Sequence, residues 1–189
     1  MRVITGTARG RKLKEPVGFD IRPTTDQVKE AMFNIVQFDV EGRRVLDLFG
    51  GTGQLGLEAA SRGAGETVIV DSDRAAVKLI RENVALCHLD ARVVQCDALS
   101  YLERGKRFDL ILLDPPYDSG LAEKSLETIK KIDNLSEGGI ILCETRRETP
   151  LPELERPYAK GREYRYGKVK LTVYIKETGH DDSNLSGKL

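Results

Sequence analysis

The hydrophobic positions change rhythm along the chain, and the changes divide it. Residues 2–14 predict a short hairpin, two basic strands around a glycine-containing turn near 7–10. Pro16 and Gly18 break it. After Arg22-Pro23-Thr24, the residues Val28, Ala31, Met32, Ile35 and Val36 recur at helical spacing, with Thr24 and Gln27 as a capping-box pair. That predicts a helix with one apolar face. From residue 44 strands and helices alternate. The pattern predicts strands over 45–49, 67–71, 91–96, 108–114 and 139–144, and helices over 54–62, 74–87, 99–104 and 120–132. The runs Leu110-Ile111-Leu112-Leu113 and Ile140-Ile141-Leu142 are apolar without a break, as in strands covered on both faces. Repeated βα units imply an α/β fold, a doubly wound, mostly parallel Rossmann-like sheet with right-handed crossovers. Residues 162–166 and 170–176 alternate around Gly167, which predicts a C-terminal antiparallel hairpin closing one sheet edge. The tail from 178 is polar and is expected to fray.

Composition narrows the class. The chain has 189 residues, 40% hydrophobic and 32% charged, which fits one soluble domain with a short appendage and excludes disorder. No apolar run approaches the ~20 residues of a membrane span, and the N-terminus has no apolar core of a signal peptide. Cys87, Cys96 and Cys143 are odd in number and widely spaced, so they form neither a disulfide framework nor a metal site. They read as small buried residues of a cytoplasmic protein. Net charge is zero, but its distribution is uneven: residues 1–14 carry +5, residues 156–176 carry +6, and the remainder therefore carries −11. Basic ends on an acidic body suggest a polyanion-facing surface, with Arg9, Arg11, Lys12 and Arg165 as candidate contacts.

Three stretches carry chemistry. The first runs from Val45 to Gly56 and holds G-x-G-x-x-G as Gly51, Gly53 and Gly56, directly after a predicted strand and opening a helix. Glycines there let the backbone turn tightly and approach a ligand, and Asp71, twenty residues past Gly51, suits a ribose. This much does not separate a nicotinamide dinucleotide from S-adenosylmethionine. Asp47, just before the glycines, favours the latter, because an acid suits an ammonium or sulfonium and opposes a pyrophosphate. The second stretch, Gln95-Cys96-Asp97-Ala98, ends the third strand with an acid able to accept from an adenine amine; Asp97 also suits a helix N-cap.

The third is Asp114-Pro115-Pro116-Tyr117, at the end of the most apolar strand. The prolines lack N–H donors and fix φ, so they present carbonyls in a rigid bend. Asp114 and the Pro115 carbonyl then form two acceptors for an –NH2 group, and Tyr117 offers a face for a planar base. A ring amine is a poor nucleophile because its lone pair is delocalised. Two acceptors holding its hydrogens bias it toward sp³ character and aim the lone pair at a methyl group.

In this order, the glycine loop, Asp97 and the Asp-Pro-Pro-Tyr tetrapeptide resemble class I S-adenosylmethionine-dependent methyltransferases acting on exocyclic amines. Gly6-Thr7-Ala8-Arg9-Gly10-Arg11, Arg22-Pro23-Thr24-Thr25-Asp26, Phe33-Asn34-Ile35, Leu55-Gly56-Leu57-Glu58-Ala59, Ser61-Arg62-Gly63-Ala64 and Tyr166-Gly167 tighten the likeness to the RsmD family, bacterial enzymes methylating N2 of one guanine in small-subunit (16S) ribosomal RNA. The resemblance covers roughly residues 1–176. It implies that Asp47, Gly51, Thr52, Gly53 and Asp71 hold the methionine and ribose of S-adenosylmethionine, and that Asp97 with Ala98 holds the adenine. Asp114 to Tyr117 would form the amine site, and Arg22 and Thr24 would lie near its mouth. Asp71 stands where the family usually has Glu, and Gly50 where it has Ala or Cys. The resemblance implies a basic appendage over 1–40, a methyltransferase domain over 41–177 and a tail over 178–189. The expected partner is ribosomal RNA or the assembling small subunit, met by a monomer with no membrane and no metal. Alternatives are an adenine-N6 methyltransferase on RNA or DNA, and a non-catalytic RNA-binding assembly factor. A nicotinamide oxidoreductase is the least favoured reading, because nothing in the sequence suggests a hydride-acceptor site.

Overall fold

The computed structural model describes residues 1–15 and 25–179. Arg22, Thr24 and the tail from 180 lie outside them. The elements run α1 (Asp26–Ile35), β1 (Arg44–Asp47), α2 (Gln54–Ser61), β2 (Glu66–Asp71), α3 (Arg74–Cys87), β3 (Arg92–Gln95), α4 (Ala98–Leu102), β4 (Phe108–Leu113), α5 (Leu121–Ile132), β5 (Leu135–Arg146), β6 (Tyr158–Tyr166) and β7 (Val169–Lys176). The strands form one seven-stranded sheet in the order β3-β2-β1-β4-β5-β7-β6. The first five are parallel, while β7 is antiparallel to both β5 and β6. This is the expected doubly wound sheet with its hairpin on one edge. The strand order reverses between β1 and β4, which opens a crevice outside their C-terminal ends.

The unbroken apolar run of β4 has the reason expected of it. Ile111 and Leu113 pack on one face with Leu126 and Ile129 of α5 and Tyr101 and Leu102 of α4. Leu110 and Leu112 pack on the other with Met32 and Phe33 of α1 and Leu55 and Ala59 of α2. Alternate side chains of one strand thus feed two cores.

Several boundaries differ from the sequence pattern. Helix α1 starts after Thr25, whose hydroxyl accepts from the Val28 amide at 3.3 Å, so Thr25 and not Thr24 is the cap, and Gln27 is no longer three residues on. Strand β5 is longer than 139–144 because it already pairs with β4 at Leu135 and with β7 as far as Arg146. Strand β6 begins at Tyr158, where it pairs with Lys176.

The N-terminal hairpin is reduced to one antiparallel bridge, Arg2 to Lys12. Its arms also bond through the Val3 amide to the Arg11 carbonyl at 3.0 Å and the Leu13 amide to the Met1 carbonyl at 3.1 Å, while the rest of its backbone turns to α2. The buried Glu58 carboxylate accepts from the amides of Ile4 at 2.7 Å and Thr5 at 3.0 Å. Ser61 accepts from the Thr7 amide at its carbonyl and from the Ala8 amide at its hydroxyl, both at 2.9 Å. Gly6 is obligatory there: at φ +84°, a Cβ would lie 1.7 Å from the Ser61 carbonyl oxygen. Val3, Ala8 and Leu13 bury themselves against Leu57, Ile69, Ile80 and Cys87. Asn83 of α3 secures the end of the segment, accepting from the Lys14 amide at 2.8 Å and donating to its carbonyl at 3.2 Å.

Candidate active site

A cavity of about 520 Å³ sits at the reversal point of the sheet. That is ample for a nucleoside-sized ligand. Four loops build most of it, and residues of the surrounding helices and strands close it. After β1 come Leu48 to Thr52, after β2 Asp71 to Asp73, after β3 Cys96 to Ala98, and after β4 Asp114 to Tyr117, while Thr25 and Val28 bring in α1. Apolar walls from Leu48, Phe49 and Leu55 face acids from three successive strand ends.

The glycine loop is shaped by both conformation and close approach. Gly51 has φ +55° and would project a Cβ into open space. Gly56 lets α2 lie against the sheet, since a Cβ there would meet Ile69 Cγ1 at 2.5 Å. Asp71 braces the loop: one oxygen accepts from the Gly51 amide at 2.8 Å, the other from the Asp73 amide at 2.8 Å. Both oxygens keep a further lone pair for a ligand in the cavity. Asp97 caps α4 by accepting from the Ser100 amide at 3.0 Å, and still lines the cavity.

Asp47 sits differently. It is fully buried beneath the loop, accepts from the Gly56 amide at 2.8 Å, and is absent from the cavity lining. Burial, and then the negative charges of Asp114 and Asp71, push its carboxyl up to about 7, against the opposing pull of the Gly56 amide. Gly53 also lies outside the lining; it turns the chain into α2 at φ +80°.

At the other end of the cavity, Tyr117 is anchored. Its hydroxyl donates to Glu144 Oε1 at 2.9 Å, and Glu144 is buried at the end of β5. The Arg146 guanidinium lies over the Tyr117 ring, 5.2 Å from its centroid, and pairs with Asp118 at 3.1 Å. Pro115 is buried and Pro116 exposed, so the bend is fixed on the sheet side.

A family model described as conserved hypothetical protein 95 matches residues 1–175. The chain belongs to this family. It is 39% identical over 182 residues to the putative rRNA methyltransferase YlbH of Bacillus subtilis, covering 93% of this chain and 99% of that one. It is 34% identical over 187 residues to ribosomal RNA small subunit methyltransferase D of Escherichia coli K12, covering 97% and 94%. Among solved structures, the putative methyltransferase yhhF from Escherichia coli superposes with a TM-score of 0.85 at 34% identity, covering 94% of this chain and 98% of that one. The RsmD resemblance read from the motifs is thereby shown. The Thermus thermophilus 16S rRNA N2 G1207 methyltransferase, solved with AdoMet and guanosine, shares the fold at a TM-score of 0.65 and 21% identity, covering 84% and 45%.

Of the residues singled out in the sequence, Gly51, Thr52, Asp71, Asp97, Ala98 and the whole Asp114 to Tyr117 tetrapeptide line the one cavity. Arg9, Arg11 and Lys12 are exposed on the N-terminal segment, and Arg165 is exposed on edge strand β6; none of the four lines it. Cys96 is not the small buried residue expected: it faces the cavity, while Cys87 and Cys143 are buried. Sequence reasoning missed Gln54, Glu144, Thr25 and Val28. Glu144 had a readable signal, an acid closing an apolar strand run as Asp114 does. Val28 had none, because a wall residue and a packing residue share one helical periodicity.

Proposed function

We propose that this protein transfers the methyl group of S-adenosylmethionine to the exocyclic N2 amine of a guanine in small-subunit ribosomal RNA. The observation that carries this reading is the shared cavity: the Asp-Pro-Pro-Tyr bend and the glycine loop with Asp71 and Asp97 open on one space. The names of the relatives support ribosomal RNA as the substrate class. In this reading residues 1–40 form an RNA-facing appendage on a methyltransferase domain over 41–177.

The cavity residues fit the cofactor. Gly51 brings the backbone to the ligand without side-chain bulk, with Thr52 beside it, Asp71 accepts from the ribose hydroxyls, and Asp97 with Ala98 takes the adenine. Asp47, beneath the loop and outside the cavity lining, favours the cationic methionine end in its ionised form, which prevails above about pH 7. When bound, S-adenosylmethionine supplies an electrophilic methyl on a sulfonium. The protein's own residues prepare the amine. The base leaves its stack to enter, since a paired guanine hides N2. It stacks on the Tyr117 face opposite Arg146. Asp114 and the Pro115 carbonyl accept from its two N–H bonds, localise the lone pair and point it into the cavity. The methyl's bond to sulfur would break as the C–N bond forms, leaving S-adenosylhomocysteine, and one of those two protons would pass to the Asp114 carboxylate and on to solvent.

Tritiated S-adenosylmethionine and small-subunit RNA, followed by nucleoside analysis, test the proposal. Labelled N2-methylguanosine is expected. Labelled N6-methyladenosine would move the activity to adenine, and RNA binding without label would leave an assembly factor. Asp114→Ala and Asp114→Asn are both expected to bind S-adenosylhomocysteine and to lose roughly 10²–10⁴-fold in single-turnover transfer. Near-normal transfer by Asp114→Ala would leave the tetrapeptide a structural turn.

A further inference from the structure

The Tyr166-Gly167 motif has no part in the cavity just described, yet it sits beside it. Gly167 adopts φ +57° and turns β6 into β7. Lys168 follows, and its carbonyl accepts from the Arg147 amide at 2.9 Å, which ties the turn to the end of β5. Strand β5 runs past Cys143, the partner of the last β4 residue, so Arg146 extends beyond the sheet edge where the Asp114 bend begins. These two protrusions enclose a second cavity of about 260 Å³, lined by Tyr117, Arg146, Glu148, Lys168 and Val169. It shares Tyr117 and Val169 with the larger cavity.

We propose that this side cavity seats the backbone phosphate flanking the methylated nucleotide. The inference rests on the function proposed above. A base stacked on Tyr117 in the main cavity leaves its sugar-phosphate at the rim, and this rim offers two cations. Arg146 is already oriented by the Tyr117 ring and Asp118, with about half of its side chain exposed. Lys168 is exposed and makes no ion pair among the described residues. Asp118 already pairs with Arg146 and Glu148 adds a second acid, so among the described residues Lys168 is the unpaired cation of this lining, enough for one phosphate and too little for a run of them. A phosphate held here positions and does not read sequence, so the site acts on substrate capture and orientation.

Lys168 gives the clean test, because Arg146 also touches Tyr117. Transfer to deproteinised small-subunit RNA from cells lacking the enzyme is measured at several salt concentrations. For Lys168→Ala, KM for RNA should rise about three- to tenfold at 50 mM salt, and the log–log salt slope should fall by about 1. S-adenosylhomocysteine affinity and the identity of the labelled nucleoside should stay unchanged. Glu148→Gln should lower KM, because it removes a negative charge beside the phosphate. A raised KM for Glu148→Gln would mean that the occupant is a donor such as a base amine, and would overturn the assignment, as would an unaltered salt slope for Lys168→Ala. If instead the unmutated protein labels no guanine, the proposed function fails first and separately.

Discussion

Replacing Asp47 by Asn separates the charge of this group from its shape. The carboxyl is fully buried on the Gly56 amide. Burial first, and then the charges of Asp114 and Asp71, lift it from the ordinary 3.8 to about 7. The sign follows from counting protons. Below pH 3.8 both folded and unfolded chains hold the proton, and Asp47 leaves stability unaffected. From there to about pH 7 the folded chain keeps a proton that the unfolded chain has released, so each pH unit lowers stability by about 1.4 kcal/mol. Above that the penalty is complete at roughly 4 kcal/mol, of which about 2–3 kcal/mol accrues between pH 5 and pH 8. Asn does not titrate. The stability of Asp47→Asn relative to the unmutated protein should therefore improve by about 2–3 kcal/mol over that interval, or roughly 5–10 °C in Tm for a chain of this size. Any constant cost of the amide, including a weaker bond to Gly56, cancels in the difference. Urea unfolding of both proteins without cofactor, followed by circular dichroism at pH 5, 6, 7 and 8, reads it directly. Parallel pH dependences would refute the reasoning and mean that Asp47 ionises normally under the loop. A bound ammonium has the opposite effect on the same carboxyl, so S-adenosylhomocysteine should bind the unmutated protein more tightly as pH rises from 6 to 8.

Other outcomes test other parts of the site. Tyr117→Phe keeps the stacking ring but loses the 2.9 Å bond to Glu144, so single-turnover transfer should fall about tenfold, the worth of roughly 1.5 kcal/mol, and a rate equal to the parent would mean that the anchor is idle. Gly56→Ala forces a Cβ to 2.5 Å and 2.6 Å from the fully buried Ile69, and should cost about 1–3 kcal/mol of stability and weaken cofactor binding; an unchanged melting temperature would show that α2 shifts freely. Cys96 should alkylate in the native protein and be protected by S-adenosylhomocysteine, while Cys143, whose thiol burial pushes upward, should react only on unfolding. Labelling of Cys96 that ignores the ligand would remove the adenine from that end of the cavity. Substituting Arg9, Arg11 and Lys12 together by Ala should weaken RNA binding and flatten its salt slope with cofactor affinity intact; an unaltered slope would show that this segment does not meet phosphate.

The alternation of strands and helices and the edge hairpin were legible because they follow from local signals. Unbroken apolar runs announce covered strands, and glycines after a strand announce a close approach. The tetrapeptide was legible because prolines have few other uses at a strand end. What the sequence concealed were partnerships across distance. Gly6-Thr7-Ala8 and Glu58-to-Ser61 were separate motifs, and nothing in their spacing says that one accepts the amides of the other. Asp97 presented two roles, and the structure gives it both positions at once: a cap on α4 and a wall of the cavity. The N-terminal hairpin was legible as a pairing of its two arms, but its docking on α2 was not, because alternation says nothing of which helix a turn will meet. Glu144 was overlooked because its strand was read only for its apolar core.

The clamp between the N-terminal segment and α2 also sets an order of events during synthesis. Ile4 and Glu58 are 54 residues apart, and Lys14 and Asn83 are 69 apart. The segment therefore leaves the ribosome long before its partners exist, and its five cations emerge with no surface to lie on. Its loop closes only once α2 and α3 are out and packed, a long-range contact of the kind that comes late. A segment made well before α2 and α3 is thus among the last to take shape, and its contacts close only when the helix behind the glycine loop is there to hold them.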